Sequence, residues 1–478
     1  MKTFTTFLLL LLFSLSAYPQ DITNTLGSNG VFSIKDNTTT FFSLYQDDGR
    51  ISLADLQGST LGFIYKNSSL FLHNYSPIGT DGRNTFLGIN AGNTNMNGTG
   101  GESSSNTAVG YFSMHSLTTG LTNTAVGDNT LLLNTAGTGN TAIGSSALSS
   151  CTECYSNTAV GYRSLNSNLG GGNNTSVGFH SMYSNLNGTE NTAMGLGALF
   201  ANTDGSSNVA IGIMTMENGS SVGYGNTAVG PYSMRNHNKG NNNSAFGLNS
   251  LSINNTGSQN TAIGSDALTN NTSGNENVAV GSSAGTTIET GNNNICIGSG
   301  ADATSNSVSN EITLGNGFIS ALRCNITTIT SLSDARDKKN INDLSLGLDF
   351  ISRLKPRQFN WDKREWYKQN ESDGSKMGNK LTAGFIAQEL DEVQQYYNAE
   401  WLNLVYKSNP DKLEATPGNL LPIMVKAIQE LKQENEKLKE ELQSLKDLKE
   451  QMNGLSELIS ELNIKSTANS EIVNTDTK

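Results

Sequence analysis

The stretch Asn106-Thr107-Ala108-Val109-Gly110 decides the fold, because close copies of it recur along much of the chain. Its identical copies and its variants are NTAVG at 123–127, 157–161 and 226–230, NTAIG at 140–144 and 260–264, NTSVG at 174–178, NTAMG at 191–195, NVAIG at 208–212, NSAFG at 243–247, NVAVG at 277–281 and NICIG at 294–298. NTFLG at 84–88 opens the series and ITLG at 312–315 closes it. After Gly110 the closing glycines are 17 residues apart, except for one step of 18 between Gly212 and Gly230.

This fixed spacing excludes a disordered chain, although the composition by itself would suggest one. Hydrophobic residues make up only 35% of the 478 residues and charged residues 15%, while there are 50 glycines. Such a composition is typical either of disorder or of a repeat fold with many turns. Disordered low-complexity sequence has no reason to keep a 17-residue register, so the repeat fold is the interpretation we adopt.

Each repeat reads Asn-Thr-Ala-Val-Gly, then two variable residues, Ala or Ser, Leu or Met, and a polar stretch. We expect two short strands and two turns per repeat, with Thr and Val on one face of the first strand and Ala on the other. Stacked asparagines can exchange amide hydrogen bonds between successive coils. The sequence therefore predicts a mainly β protein, built as a parallel β-solenoid or β-roll of fourteen rungs and about 65 Å long.

One rung buries few apolar side chains, so stacking must supply most of the stability, and the lateral surfaces favour an oligomer. The repeats resemble the head of trimeric autotransporter adhesins, whose rungs carry similar Asn-x-Ala-Val/Ile-Gly cores. That resemblance implies a left-handed parallel β-roll and a homotrimer. The period of 17 residues is longer than in those heads.

Charge and residue usage exclude several classes of function. The net charge is -12, and the repeats hold only three basic residues, Arg163, Arg235 and Lys239, so nucleic acid is not an expected partner. We predict no cofactor and no metal, because no carboxylates accompany the histidines at repeated offsets. The histidines of the repeats, which we expect at or near the surface, are His115, His180 and His237.

The four cysteines are Cys151, Cys154, Cys296 and Cys324, too few for a disulfide framework in an exported chain of this length. Cys151 and Cys154 lie in a polar connecting stretch. They could close a small disulfide loop, but we favour a variable surface tip. A zinc site would need two further ligands, which nothing nearby supplies at a recognisable spacing.

The N-terminal residues 1–20 have the pattern of a secretory signal peptide. Lys2 precedes an apolar run from Phe7 to Leu15, which is too short for a membrane span, and small residues follow at Ser16 and Ala17. No cysteine follows the run to carry a lipid anchor, and no later segment is apolar enough to cross a membrane. We therefore expect a secreted protein, extracellular or on the surface of a Gram-negative envelope.

Residues 21–83 alternate apolar and polar side chains, which predicts an N-terminal β cap on the repeats. Strands are expected at VFSI, residues 31–34, and at FFSLY, residues 41–45, with a turn at 47–49. The β-roll repeats then occupy 84–315, and a linker 316–332 follows them.

Beyond the repeats glycine becomes rare and charged residues appear. Four motifs stand out: Ser-Asp-x-Arg-x-Lys-x-Asn-Ile from Ser333, Leu-Lys-Pro followed by an aromatic residue at 354–359, Gly-Phe-Ile-Ala-Gln-Glu at 384–389, and Val-Lys-Ala-Ile-Gln-Glu-Leu at 425–431. Together they resemble the intramolecular chaperone domain of phage endosialidases and tailspikes, a serine autopeptidase family also found in bacterial fibre proteins. The resemblance covers about residues 330–450 and implies a small α+β domain, which we place at 333–430.

The same resemblance implies that Ser333 is the nucleophile and Lys338 its general base, and that the scissile bond is Leu332–Ser333 or the next one. No histidine occurs after His237, so a Ser-His pair within this domain is impossible, and a lysine desolvated by burial can serve as the base. Asp334 and Arg336 are expected to order the turn. Asp337 departs from the usual apolar or basic residue before the base, and it would weaken Lys338 as a base unless it points away.

The C-terminal segment is expected to be a helix that forms a coiled coil at 424–465, followed by a disordered tail at 466–478. Met424, Ile428, Leu431, Leu438, Leu442 and Leu445 follow a 4-3 spacing, with Asn435 as a polar interruption at an a position. A further stripe runs through Leu448, Met452, Leu455, Ile459 and Leu462. A single amphipathic helix packed on the domain is the alternative.

These features predict a fibre-like surface or adhesin protein whose C-terminal domain templates trimerisation and then cuts itself off at a Ser-Lys dyad. The expected partners are two further copies of the chain and, outside the fibre, a surface glycan or a protein receptor. One alternative is a structural fibre that keeps its C-terminal trimer clamp uncut. Another is a fibre that carries glycan-processing activity, which would require paired carboxylates in a groove.

Overall fold

The computed structural model describes strands at 31–35, 40–45 and 51–53, then residues 64–219, 223–323, 325 and 333–473, with side chains from 64 to 466. The predicted signal peptide, the turn at 47–49, Cys324 and Leu332 lie outside the described residues. The chain divides into two compact units, Met1–Ile319 and Ser320–Lys478.

The N-terminal part of unit 1 contains two antiparallel arrangements. Strands β1 (Val31–Lys35), β2 (Thr40–Tyr45) and β3 (Ile51–Leu53) form a sheet of their own. β4 (Ile64–Lys66) and β5 (Ser69–His73) pair antiparallel with each other, and β5 also pairs with the first strand of the repeats. This hairpin covers one edge of the repeat sheet.

Fourteen three-residue strands, β6 to β19, form one parallel ladder in chain order. Each pairs in register with the equivalent strand of the next repeat, as Thr158 does with Thr175. The parallel β-solenoid predicted from the 17-residue period is thereby confirmed. The strands are Thr85–Leu87, Thr107–Val109, Thr124–Val126, Thr141–Ile143, Thr158–Val160, Thr175–Val177, Thr192–Met194, Val209–Ile211, Thr227–Val229, Ser244–Phe246, Thr261–Ile263, Val278–Val280, Ile295–Ile297 and Ile312–Leu314.

The core of the solenoid is made of small and unbranched side chains. In each strand the middle residue, usually alanine, points inward, while the first and third residues point outward, as the two-residue period of a strand requires. A second buried row contributes leucine or methionine, for example Leu165 and Met182. The closing glycines are required because neighbouring coils approach each other closely there. Gly178 has a φ of +139°, and a Cβ on it would overlap the carbonyl of Gly195.

Buried asparagines form the predicted ladder between the coils. The backbone N–H of Asn174 donates to Asn157 Oδ1 at 3.0 Å, and Asn174 Nδ2 donates to the same oxygen at 3.1 Å and to Gly188 O at 2.8 Å. The same pattern recurs along the repeats, for instance at Asn260. These hydrogen bonds satisfy the amide groups of the ladder asparagines, as polar groups in a core require.

The expectation of two strands per repeat is wrong. The Leu/Met segment is a turn in which the second and fourth residues after the closing glycine have positive φ, as at Arg163 (52°) and Leu165 (51°). Side chains in this left-handed region cannot continue a strand. One coil is therefore one short strand followed by a long sequence of turns.

The favoured interpretation of Cys151 and Cys154 as a surface tip is also wrong. Both residues are buried in the core of the solenoid and are joined by a disulfide bond. His237, expected near the surface, is fully buried, whereas His115 is exposed and His180 is partly exposed. Cys296 is a buried free thiol in the middle of β18, where burial raises its pKa to about 12.

Unit 2 is a small α+β assembly around helix α1 (Leu348–Arg353), helix α2 (Ala387–Tyr396) and a long helix α3 (Leu421–Val473). Strands β20 (Arg357–Asn360) and β21 (Leu381–Gly384) form one antiparallel pair, and β22 (Val405–Tyr406) and β23 (Glu414–Ala415) another. Its core consists of Phe350, Ala399, Leu402, Leu404, Leu420 and Ile423.

Only the beginning of α3 belongs to this core. Ile423 and Ala427 are buried, and the Glu430 carboxylate accepts a hydrogen bond of 2.7 Å from the backbone N–H of Leu348 at the start of α1. Beyond Glu430 the apolar row of the helix, including Leu438 and Leu445, is exposed. None of the described helices is long and apolar enough to cross a membrane.

Candidate functional site

The predicted site residues lie in a tight turn at the start of unit 2. Ala335–Asp337 form a single turn of 3-10 helix, and Asp334 caps it, since its Oδ1 accepts a 2.9 Å hydrogen bond from the backbone N–H of Arg336. The N–H of Lys338 closes the turn by donating to Ala335 O at 3.2 Å. Aspartate is a favoured cap because its short carboxylate satisfies a backbone donor that the helix cannot.

Asp334 and Arg336 fix this turn further through a fork-shaped ion pair. Arg336 Nε donates to Asp334 Oδ1 at 3.0 Å and Arg336 Nη2 donates to Asp334 Oδ2 at 2.6 Å. These hydrogen bonds hold the pKa of the Asp334 carboxyl below its usual range. The two residues therefore order the turn and contact neither Ser333 nor Lys338 through a hydrogen bond in the described structure.

The turn brings Lys338 back onto Ser333. Lys338 Nζ donates a short hydrogen bond to Ser333 Oγ and lies 3.4 Å from the carbonyl oxygen of Ser333. A serine hydroxyl within hydrogen-bond reach of an amine is the arrangement from which a lysine could accept the serine proton. Both side chains are exposed to solvent within the single chain.

Two neighbours of the pair bear on this chemistry. Asp337 is exposed and forms no ion pair with Lys338 within the described structure, so its carboxylate does not hold the ammonium group directly. Lys339 is exposed and does not contact Ser333 among the described hydrogen bonds. Leu332, the residue before the predicted scissile bond, lies outside the described residues.

Two side-chain contacts connect distant parts of unit 2, and the sequence motifs did not predict either of them. Arg357 on β20 binds Glu389 on α2, with a 2.9 Å hydrogen bond from Nε to Oε2. This ion pair joins two of the four sequence motifs, and Glu430 joins the fourth motif to α1. Arg357, Glu389 and Glu430 all lie within the sequence motifs. Their partners are 32 and 82 positions away in the chain, so the local sequence pattern could not predict these contacts.

Metal ligands do not gather in the described part of the chain. No group of three or more His, Cys, Asp or Glu side chains that could hold a metal ion occurs among those residues. The turn itself presents a hydroxyl beside an amine.

Comparison with protein families places this turn at the first residue of a known domain. Residues 333–399 match the family model of the peptidase S74 domain, described as the chaperone of endosialidase. Comparison with curated proteins and with solved structures gave no match. Residues 333–399 of the C-terminal unit are therefore similar to this family, and they follow a parallel β-solenoid with a 17-residue period, as the sequence motifs indicated.

This family consists of intramolecular chaperones with autoproteolytic serine peptidase activity. Its domain occurs in fibre-like proteins, where it supports trimerisation. The chain thus combines a parallel β-solenoid with a C-terminal segment that is similar to this family.

Proposed function

We propose that the chain is an exported fibre protein whose C-terminal unit aligns three copies and then cuts the chain immediately before Ser333. The observation that carries this proposal is the contact of Lys338 Nζ with Ser333 Oγ at the first residue of the matched domain. The Asp334–Arg336 pair keeps the turn in the conformation that makes this contact.

The proposed reaction is a single acyl transfer followed by hydrolysis. Neutral Lys338 accepts the Ser333 hydroxyl proton while Oγ attacks the carbonyl carbon of Leu332. The bond from that carbon to the Ser333 nitrogen breaks, and the nitrogen takes a proton as it leaves. Water then hydrolyses the ester and leaves a carboxylate on Leu332 and a free amine on Ser333. Because the substrate is part of the same molecule, orientation contributes much of the rate.

A lysine acts as a base at neutral pH only when desolvation or a nearby cation lowers its pKa. Lys338 and Ser333 are exposed in the single chain, so the single chain provides little desolvation. Packing of neighbouring copies over the turn would remove water from the amine. We therefore propose that cleavage follows assembly and does not precede it.

The long helix α3 supplies the proposed means of assembly. Its exposed apolar row runs through Leu431, Leu438, Leu442 and Leu445 at the 4-3 spacing of a coiled coil. Asn435 falls at an a position of this row, where a buried Asn can specify register at some cost in stability. A parallel bundle of three such helices would place the three chains side by side.

The test is cleavage of the recombinant chain, followed on a denaturing gel and by intact mass. Wild type is expected to yield a fragment of residues 333–478, whereas Ser333→Ala, Lys338→Ala and Lys338→Arg remain full length. Arginine keeps the charge but does not lose its proton in proteins, so Lys338→Arg separates the base from the positive charge.

Lys339→Ala is the matched control and should cleave like wild type, while Asp337→Asn should cleave at least as fast. Cleavage of the Ser333→Ala chain at the same bond would refute the assignment. A wild-type chain that forms trimers and stays uncut would instead support the retained trimer clamp.

A further inference from the structure

The outward side of the strand ladder forms a continuous surface along the repeats, which we call the ladder face. It consists of the first and third residues of each strand from β6 to β19. The third position is apolar in all fourteen strands: Leu87, Val109, Val126, Ile143, Val160, Val177, Met194, Ile211, Val229, Phe246, Ile263, Val280, Ile297 and Leu314. The first position is Thr, Ser, Val or Ile throughout.

Charge is excluded from this face although it occurs elsewhere on the coils. No position of the ladder face is Asp, Glu, Lys or Arg, while the turns carry residues such as Glu153, Arg163, Asp204 and Lys239. The charged side chains of the repeats therefore all lie in the turns between the strands. Depletion of charge together with apolar side chains is typical of the centre of a protein interface.

The apolar side chains of this face are accessible in the single chain. Ile143, Phe246 and Ile297 are each about two-fifths exposed. In the middle of the rod the residue after the closing glycine widens the apolar strip, and in four consecutive coils it is Tyr162, Phe179, Leu196 and Ile213, all exposed. A contiguous apolar surface of this kind marks an interaction site.

Its size fits a partner of the same length. Fourteen strands about 4.8 Å apart, each about 10 Å long, give a face of roughly 650 Å². A stable interface buries about 800 Å² per partner, and the widened strip brings the whole face, which two neighbouring copies of a trimer would share, near that value. A second copy of the rod offers the same spacing between coils along its whole length, which a globular partner does not.

We infer that the ladder faces of three copies pack against one another and hold the rod together after the C-terminal unit has been released. This inference rests on the proposed function, from which the number three is taken. Most residues of the third row are Val or Ile, so a shift of one coil would preserve nearly all contacts. The face can thus supply affinity along the rod while leaving the register to be set by another part of the chain.

The experiment uses a full chain with Ser333→Ala and a protease site inserted between Arg323 and position 333. The added protease releases the rod whether or not the chain cleaves itself, so this result is independent of the proposed reaction. The mass of the released rod is then measured by light scattering during size exclusion. The rod with the natural ladder face is expected to have the mass of three copies.

Val177→Glu combined with Met194→Glu places carboxylates on the ladder face of neighbouring coils, and the released rod should fall to one third of that mass. Leu169→Glu with Leu186→Glu adds the same charges to neighbouring coils outside the ladder face and should leave three copies. Circular dichroism with a β spectrum verifies that each variant is folded. A one-copy mass for the natural face, a three-copy mass for the ladder variant or dissociation of the control would overturn the inference.

Discussion

The backbone conformation of the fourth residue after most closing glycines explains why leucine and methionine recur there, where a strand would favour valine or isoleucine. Its φ is close to +50°, for example 51° at Leu165 and 48° at Met182, and the side chain is fully buried. A branched Cβ is a genuine outlier at positive φ, whereas an unbranched Cβ costs less there. The position therefore requires a large apolar side chain without β-branching.

Leu165→Ile tests this requirement, because it changes the branching and leaves the volume nearly the same. We expect it to destabilise the rod by about 1–3 kcal/mol, the usual cost of a residue in a sparsely populated conformation. Leu165→Met should cost less than about 1.5 kcal/mol. The midpoint of thermal unfolding measures both, with Val160→Ile on the strand as the control. Equal midpoints for the Ile and Met variants at 165 would contradict the explanation.

His237 occupies a place that asparagine holds in neighbouring coils, and it copies the hydrogen bonds of asparagine. Its Nε2 donates to Gly240 O at 2.9 Å, while its Nδ1 accepts from Asn254 Nδ2 at 3.2 Å. Asn254 makes the equivalent bond to Gly257 O at 2.7 Å. This arrangement requires the neutral ring, because a proton on Nδ1 would face the Asn254 amide donor.

The buried His237 makes stability depend on pH. Burial lowers its pKa below the ordinary value of 6.5, so below that pH the unfolded chain binds more protons than the folded one. Neutral His237 makes its full contribution to the free energy of unfolding above pH 6.5. This contribution is lost as the pH falls from 6.5 towards the lowered pKa of His237 in the folded chain. His237→Asn should therefore lose less thermal stability than wild type between pH 7.5 and pH 5.

His73 is present in both the wild-type and the His237→Asn chain, so it contributes equally to the pH dependence of both. Burial lowers its pKa as well, so some dependence on pH should persist in the His237→Asn chain. An identical fall in the melting midpoint of the two chains would exclude a contribution from His237.

At the scale of the element, one coil is closed by a clamp that takes two chemical forms. In six of the described coils an asparagine side chain binds the glycine three residues later, as Asn202 Oδ1 accepts from the N–H of Gly205 at 3.0 Å. Cys151 and Cys154 occupy the equivalent positions, 17 residues after Asn134 and Gly137, and a covalent bond replaces the hydrogen bond there.

Replacing both cysteines by the pair used elsewhere should restore the hydrogen-bonded clamp. We expect Cys151→Asn with Cys154→Gly to fold and to have the same melting midpoint with and without a reductant. The wild-type midpoint should fall in the reductant, and Cys151→Ala with Cys154→Ala should lose about 1–3 kcal/mol because the cross-link and its buried sulfur atoms are removed. A double Asn/Gly variant that fails to fold would show that the two clamps are not equivalent.

Some structural features of the coil could be predicted from the sequence repeat, and others could not. The 17-residue period predicts the parallel ladder, and the recurring Asn predicts the buried amide bonds. The left-handed turn was missed because hydrophobic spacing contains no information on the sign of φ. The 17-residue period also aligns Cys151 with Asn134 and His237 with Asn254. Only the structure shows that these positions face the core.

For the C-terminal turn, the sequence motif predicted the contact between two side chains but not their exposure. Ser333 and Lys338 come from a motif, and a separation of five residues across a capped turn brings their side chains into contact. The exposure of both side chains could not be predicted, since burial of a lysine depends on packing that no local pattern describes. The Arg357–Glu389 and Glu430 contacts likewise depend on the tertiary fold.

At the scale of the whole molecule, the two units have complementary properties. On the inference above, the ladder face offers affinity at every coil but does not distinguish one register from the next. On the proposed function, the helix of the C-terminal unit specifies register through Asn435, and the turn at Ser333 cuts the chain. We therefore expect the state of the rod to depend on whether the C-terminal unit was present while it assembled.

The most direct measurement compares two rods of the same sequence and different history. One is made as the full chain and released afterwards at the inserted protease site, and the other is expressed without any residue beyond Arg323. The mass of each in solution should differ: three copies for the released rod, and monomers or mixed aggregates for the rod made alone. If the rod made alone reached the same three-copy mass in the same yield, the C-terminal unit would not be its template.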